Sequence, residues 1–352
     1  MSSSYINGNY IVTFDRSGTR FRRALRVGEN FNPIFPDSID LKVSNICDIG
    51  CPFCHENSVP TGKTCSWENL EQVLSPIKDY PIEIAIGGGD LTMIVPQVLD
   101  FGSWCSMNTR FQLRITINSK SIIKRPGEKS EIVFNRHSTS HKDRYTRNVG
   151  SGSAALLSER HYFQAIGISI SSFDDLHNLI SNDGEEGSLL YRLGGEVNQV
   201  VWHIVIGVMP VSDFARILKE YTNNSDIYFG FSRLRFLILG FKQYGRASNV
   251  KEINELDEWR SIVKQTLWTA RHVYSMERLK CIFAFDNLAI EQLGIKESLS
   301  VTEWSELYLG DEFSSSMYIN AVDGYFGHNS RSKEGIRSWD EISILDYFKD
   351  HA

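Results

Sequence analysis

The stretch Ile39-Asp-Leu-Lys-Val43-Ser-Asn-Ile-Cys47-Asp-Ile-Gly-Cys51-Pro-Phe-Cys54-His55 runs an apolar β-pattern straight into three thiols. Residues 39–43 predict a strand. Outward from it, residues 66–74 predict a helix with Ser66 as its cap. Residues 82–86 predict a second strand, which ends on Gly87-Gly88-Gly89. Residues 95–107 read as a helix weakened by Gly102, and 111–117 as a third strand. The alternation resumes with strands at 165–170, 200–206, 234–239 and 279–285, and helices at 174–181, 211–221 and 256–275. Strands alternating with helices imply parallel βα units. Six or so in series, with continuously apolar strands, predict an α/β fold: a partial (β/α)6 TIM-type barrel over residues 39–279.

Residues 1–38 predict a short N-terminal β-rich leader, with a strand at 10–14 and a turn at 15–18. Pro33 and Pro36 mark the entry to the barrel. Residues 280–352 predict a C-terminal α+β cap of short strands and turns, with a final helix from about Ser338. Residues 124–150 break the rhythm with Lys, Arg, His and Ser. They read as an inserted basic loop, either a solvated surface or a lid or binding loop for an acidic partner.

The 352 residues are 41% apolar and 23% charged, which speaks against wholesale disorder. Lys and Arg number 37 against 43 Asp and Glu, a net charge of −6. That balance argues against a protein whose main work is phosphate binding, and there is no strong nucleic-acid signal. No apolar run is long enough to cross a bilayer, and the first ten residues hold no signal core. The expectation is a cytoplasmic protein without a membrane partner, its thiols reduced.

Chemistry in a parallel barrel sits on the loops after the strands. Here those loops hold residues 47–54, 87–90, 118–120 and 169–172, together with Gly207 and Gly240. Cys47, Cys51 and Cys54, spaced three then two residues apart, can converge on one inorganic centre, and Gly50 and Pro52 allow the tight path. Three readings are open. A structural zinc site would take the three thiols with His55 or Cys65. Residues 51–55 also fit the C-x-x-C-H of covalent haem. A four-iron cluster on three thiolates would leave one iron open to a ligand. Neither a nucleophile elbow nor a P-loop is present.

Cys-x3-Cys-x2-Cys after a first barrel strand, with Phe53 just before the third cysteine, resembles the radical S-adenosylmethionine (radical SAM) superfamily. The likeness covers about residues 39–245. It implies a [4Fe-4S] cluster on Cys47, Cys51 and Cys54 and S-adenosyl-L-methionine on the open iron. It further implies an external one-electron reductant of the flavodoxin or ferredoxin type, and hydrogen abstraction from a substrate. Phe53 matches the aromatic that packs near adenine. Gly88, Gly89 and Asp90 look like the family's Gly-Gly-Glu, with Asp in place of Glu. Asn118 matches a Thr-Asn strand end, Ser169 and Ser171 the region that meets ribose or carboxylate, and Gly240 the stretch beside adenine. His203 is expected on strand five, pointing inward, more as a core residue than a ligand. Lys242 and Arg246 are candidate anchors for a substrate anion. Residues 317–330 resemble the hairpin of a SPASM-like tail, the extension of peptide-modifying members, yet Cys65, Cys105 and Cys281 are too scattered for an auxiliary cluster. The substrate implied is a peptide or protein; the alternatives are a nucleotide or nucleobase, or a zinc-stabilised binding module without enzymatic activity.

Overall fold

The computed structural model describes residues 3–14, 20–26, 29–124, 129–135, 144–150, 156, 162–180, 200–223, 234–272, 281–308, 310, 314–332 and 334–351. The turn expected at 15–18 lies outside them, as do residues 181, 273–275 and 279–280 of the expected elements.

The leader is an antiparallel sheet of β1 (Ser3–Asn7), β2 (Tyr10–Phe14) and β3 (Arg20–Ala24). One buried carboxylate ties it to the main sheet. Asp37 accepts hydrogen bonds from Asn7 Nδ2 at 2.7 Å and Tyr10 Oη at 2.8 Å, and pairs with Arg22 Nε at 2.8 Å.

Asp37 leads into β4 (Ser38–Ser44), the first strand of the main sheet. Its partners are β5 (Glu83–Gly88), β6 (Gln112–Asn118), then, beyond β7 (Lys129–Asn135) and β8 (Arg144–Gly150), β9 (Ala165–Ile170), β10 (Val200–Val205), β11 (Leu234–Leu239) and β12 (Cys281–Phe285). Each pairs in parallel with the one before it in the sheet. On the other side of β4 lies β13 (Ser316–Asn320), also parallel, followed antiparallel by β14 (Tyr325–Gly327) and β15 (Arg337–Ser338). β12 and β15 are the two ends of this order. The sheet is thus a partial TIM-type barrel and does not close among the described residues.

Helices fill the crossovers: α1 (Trp67–Leu74), α2 (Val95–Asn108), α3 (Ser119–Lys124), α4 (Phe173–Ile180), α5 (Val211–Asn223) and α6 (Leu256–His272). Then come α7 (Asn287–Leu293), α8 (Val301–Leu307) and α9 (Ile344–His351). Ser66 caps α1 by accepting from the Asn69 N–H at 3.4 Å. Gly102 does not break α2; it is buried against Tyr162, where a Cβ would be crowded. The last helix begins at Ile344, six residues after the expected start, because residues 337–338 pair as β15.

Two expectations are corrected. The segment 124–150 is not simply a loop: β7 and β8 pair antiparallel, residue for residue from Lys129–Gly150 to Asn135–Arg144. The strands are also not apolar on both faces. Ile84 and Ile86, Leu113 to Ile117 in alternation, Trp202, Ile204, Phe236 and Ile238 are buried in one core with Leu99, Phe214 and Trp259 of the helices. The opposite face carries Lys42, Glu83, Arg114, His203 and Arg235. An open barrel leaves that face partly wet, so charge is tolerated there as pairs, such as Arg114 Nη2 to Glu83 Oε2 at 2.8 Å.

Candidate functional site

The cysteine loop leaves the C-terminal end of β4 and closes on itself. The Cys47 N–H donates to the Val59 carbonyl at 2.9 Å, and the Val59 N–H to the Asn45 carbonyl at 3.0 Å. Inside this closure the Cys54 N–H donates to the Cys51 carbonyl at 3.3 Å, a turn that carries Pro52 and the partly buried Phe53. Cys47, Cys51 and Cys54 are free thiols, each partly buried.

Burial and neighbouring charges act on two of the thiols. Burial, above all, pushes the Cys47 thiol pKa up; backbone N–H groups of Ile49 and Gly50 oppose it, and Asp90 and Cys54 add to it. Cys51 is raised first by burial, with Cys47 and Cys54 adding and Lys120 and Arg246 opposing. Thiols whose burial and neighbours raise their pKa, as at Cys47 and Cys51, ionise more readily with a cation beside them. Among the described residues no set of three His, Cys, Asp or Glu side chains is drawn in for a single metal ion. Of the further candidate ligands, His55 has its Nε2 3.3 Å from Glu56 Oε1, and Cys65 is buried, its pKa pushed up to about 12 by that burial. Three soft thiolates with one coordination place left over fit an iron–sulfur centre.

Two flanks hold the loop. Lys124 Nζ pairs with Asp48 Oδ2 at 2.8 Å. On the other side Arg246 donates from Nε to the Cys51 carbonyl at 2.8 Å and from Nη1 to the Ser58 carbonyl at 2.7 Å. Beneath the loop, Lys42 Nζ and Glu56 Oε2 pair at 2.6 Å. Burial works against the Glu56 carboxylate, but the His55 hydrogen bond and the charges of His55 and Lys42 win and hold its pKa at about 2. Arg246, Lys124 and the Lys42–Glu56 pair act on the loop from other elements, and nothing in the cysteine spacing signals them.

The triglycine turn after β5 has a different role from the one its composition suggests. Gly88 has a φ of +119°, and a Cβ there would strike the Ser44 carbonyl; one on Gly89 would strike the Ile46 carbonyl. The backbone that approaches these two glycines is the chain's own, at the root of the cysteine loop. Gly87 alone faces open space, with nothing within 4 Å of its Cβ position. Asp90 is buried, donates its N–H to the Ile46 carbonyl at 2.7 Å, and accepts from Thr92 N at 3.0 Å and Oγ1 at 2.7 Å. It thereby ties the turn to Cys47's neighbour.

Asn118, Ser169 and His203 stand in one row across β6, β9 and β10. The Asn118 side chain accepts from the Lys120 N–H at 2.9 Å. The His203 ring lies over Gly167, and burial, with Arg114 nearby, lowers its pKa to about 4. Ser171 lies past the end of β9; its N–H and hydroxyl donate to Asp175 Oδ2 at 2.7 and 2.8 Å, so it serves α4 rather than sharing the face of Ser169. Gly240 donates its N–H to Asp286 Oδ1 at 2.9 Å, and its open side is filled by Leu288 of α7. The hairpin of β13 and β14 joins the same end of the sheet, where Lys242 Nζ donates to Ser330 Oγ at 2.8 Å.

No protein-family model matches the sequence, and no curated protein does. Among solved structures, Streptococcus suis SuiB bound to precursor peptide SuiA aligns over 90% of this chain and 65% of that one, at 15% identity and a TM-score of 0.55. SuiB without the peptide aligns over 90% and 66%, at 15% identity and 0.53. The chain therefore spans less than two thirds of the length of either. The likeness is one of fold: a mixed α/β architecture built on a large, mostly parallel sheet. Within that fold, the cysteine loop leaves the C-terminal end of β4, the first strand of the main sheet. Escherichia coli HemN, described as a radical SAM enzyme, aligns more distantly, at 13% identity over 68% of this chain and 54% of its own, with a TM-score of 0.39.

Proposed function

We propose that this chain is a radical SAM enzyme acting on a peptide or a protein side chain. The observation that carries the reading is the loop after β4: three free, partly buried thiols on one short loop, which is held from two flanks by Lys124 and Arg246. A [4Fe-4S] cluster and S-adenosylmethionine, bound there, supply one-electron cleavage of the cofactor and hydrogen abstraction from the substrate.

The chain's own residues supply placement. Cys47, Cys51 and Cys54 hold the cluster. Gly88, Gly89 and Asp90 fix the root of the loop and leave Gly87 as the glycine a ligand can approach. Asn118 and Ser169, side by side at the strand ends, offer polar groups to the cofactor. Phe53 on the turn offers an apolar wall. The wet face behind them, from the Glu83–Arg114 pair to His203, is the floor on which a substrate would lie.

A peptide substrate is supported by the likeness to SuiB, which was solved with a precursor peptide. Residues 39–279 would then be the catalytic barrel, with 1–38 as leader and 280–352 as the recognition extension, although β12 and β13 of that extension are hydrogen-bonded into the barrel sheet. An external flavodoxin or ferredoxin would deliver the electron, and the cytoplasm, a reducing compartment, would keep the thiols free. Anaerobic reconstitution tests the site. The wild type is expected to take up about four irons and as many sulfides and turn brown. Cys51→Ala is expected to take up none in defined form. A colourless wild type holding one zinc would overturn the reading.

A further inference from the structure

The loop after β11 reaches back across the barrel mouth to the cysteine loop. Gly245 has a left-handed φ of +57°, and a Cβ there would stand 2.6 Å from the Cys54 carbonyl oxygen. Only a residue without a side chain lets the two backbones touch. Arg246 then binds the cysteine loop three times. Its N–H donates to the Cys54 carbonyl at 3.0 Å, its Nε to Cys51 at 2.8 Å and its Nη1 to Ser58 at 2.7 Å. One residue, through its backbone N–H and its guanidinium, thus fixes the path of the chain through the second and third thiols, 195 residues from Cys51 in sequence.

The remaining nitrogen is different. Nη2 of Arg246 is shielded from solvent and has no hydrogen-bond partner among the described residues. A charged donor left unpaired in the interior is costly, so an orphan of this kind marks the place of an acceptor that the chain itself does not provide. The same side chain is anchored on the Cys51 carbonyl and acts electrostatically on the Cys51 thiol, so an anionic acceptor built on the thiols suits it. Hydrogen bonds to the sulfurs and nearby positive charge set the reduction potential of an iron–sulfur centre.

We propose that Arg246 is the positioning residue of the cysteine loop and that its Nη2 donates to the anionic centre held by Cys47, Cys51 and Cys54. The proposal rests on reading that loop as an iron–sulfur site. Removing the donor and its charge makes the reduced centre harder to form, so the midpoint potential becomes more negative.

The test uses full-length Arg246→Lys and Arg246→Gln, reconstituted with iron and sulfide. It follows potentiometric titration by electron paramagnetic resonance, with thermal melts of the metal-free proteins alongside. The expected result is near-wild-type melting of the metal-free variants. Arg246→Gln should have a more negative midpoint potential and lower iron retention, with Arg246→Lys between it and wild type. Wild-type loading, potential and g-values in both variants would overturn the proposal. So would unfolding of both metal-free variants, which would make Arg246 a residue of the fold at large. A wild type that assembles no iron–sulfur centre would overturn the site reading itself, and the proposal with it.

Discussion

Gly87, Gly88 and Gly89 are three identical residues with different neighbours, and each makes its own prediction. Ala at 88 or 89 meets a carbonyl of the cysteine-loop root, and Gly88 is in addition left-handed, so each substitution is expected to cost about 1–3 kcal/mol in a urea melt. Gly87→Ala has open space and is expected to stay within about 0.5 kcal/mol of wild type. Equal losses at all three positions would contradict the assignment. His203 makes a second prediction. Its pKa falls from 6.5 to about 4 in the folded chain because its ring is buried over Gly167. Between those values the unfolded chain binds a proton that the native one refuses. The stabilisation is complete above pH 6.5, declines as pH falls to about 4, and declines no further below that. At about 1.4 kcal/mol per pH unit the loss comes to roughly 3.5 kcal/mol at most. Denaturant melts of wild type and His203→Gln across that range check it, and parallel pH profiles would contradict it. At this scale the thiols are legible in the sequence because their spacing is local. Arg246 is not, since no periodicity links it to Cys51, and only the fold brings them to 2.8 Å.

The strands and helices of the barrel were legible as elements because hydrophobic periodicity is a local signal. Residues 39–43, 165–170 and 234–239 all fall on strands, 111–117 on one that runs a residue later at both ends, and 66–74 on a helix that starts one residue later, after its cap. What the pattern did not reveal was which face is wet. Arg114, His203 and Arg235 interrupt runs that are otherwise apolar, and only the open barrel explains why they point away from the helices. The pairing of β7 with β8 was hidden for a related reason: a stretch rich in Lys, Arg and Ser carries no apolar alternation to announce it. At the level of elements, the Ser66 hydroxyl is the partner of the first turn of α1, through a long 3.4 Å bond. Ser66→Ala is therefore expected to cost only about 0.5–1 kcal/mol, read from a denaturant midpoint. A larger loss would mean that Ser66 does more than cap the helix.

In the whole molecule, one carboxylate joins the leader sheet to the barrel. The side chains of Asp37 and its partner Arg22 are almost wholly buried, so Asp37→Ala removes a buried ion pair together with the acceptor of Asn7 and Tyr10, and is expected to cost about 3–5 kcal/mol. Limited proteolysis with mass spectrometry should find the first 24 residues cut sooner in the variant, and unchanged kinetics would contradict the anchor. The partial barrel spans the same molecule from β4 to β12, and the likeness of fold to SuiB covers 90% of the chain. The central claim concerns what the mouth of that architecture does, and one measurement tests it most directly. The protein is reconstituted anaerobically with iron and sulfide, reduced, and mixed with S-adenosylmethionine and a pool of peptides. 5′-Deoxyadenosine is then sought by mass spectrometry, with Cys54→Ala alongside. The account predicts the nucleoside from the wild type and none from the variant. A wild type with a full cluster that yields no 5′-deoxyadenosine, with or without peptides, would contradict it.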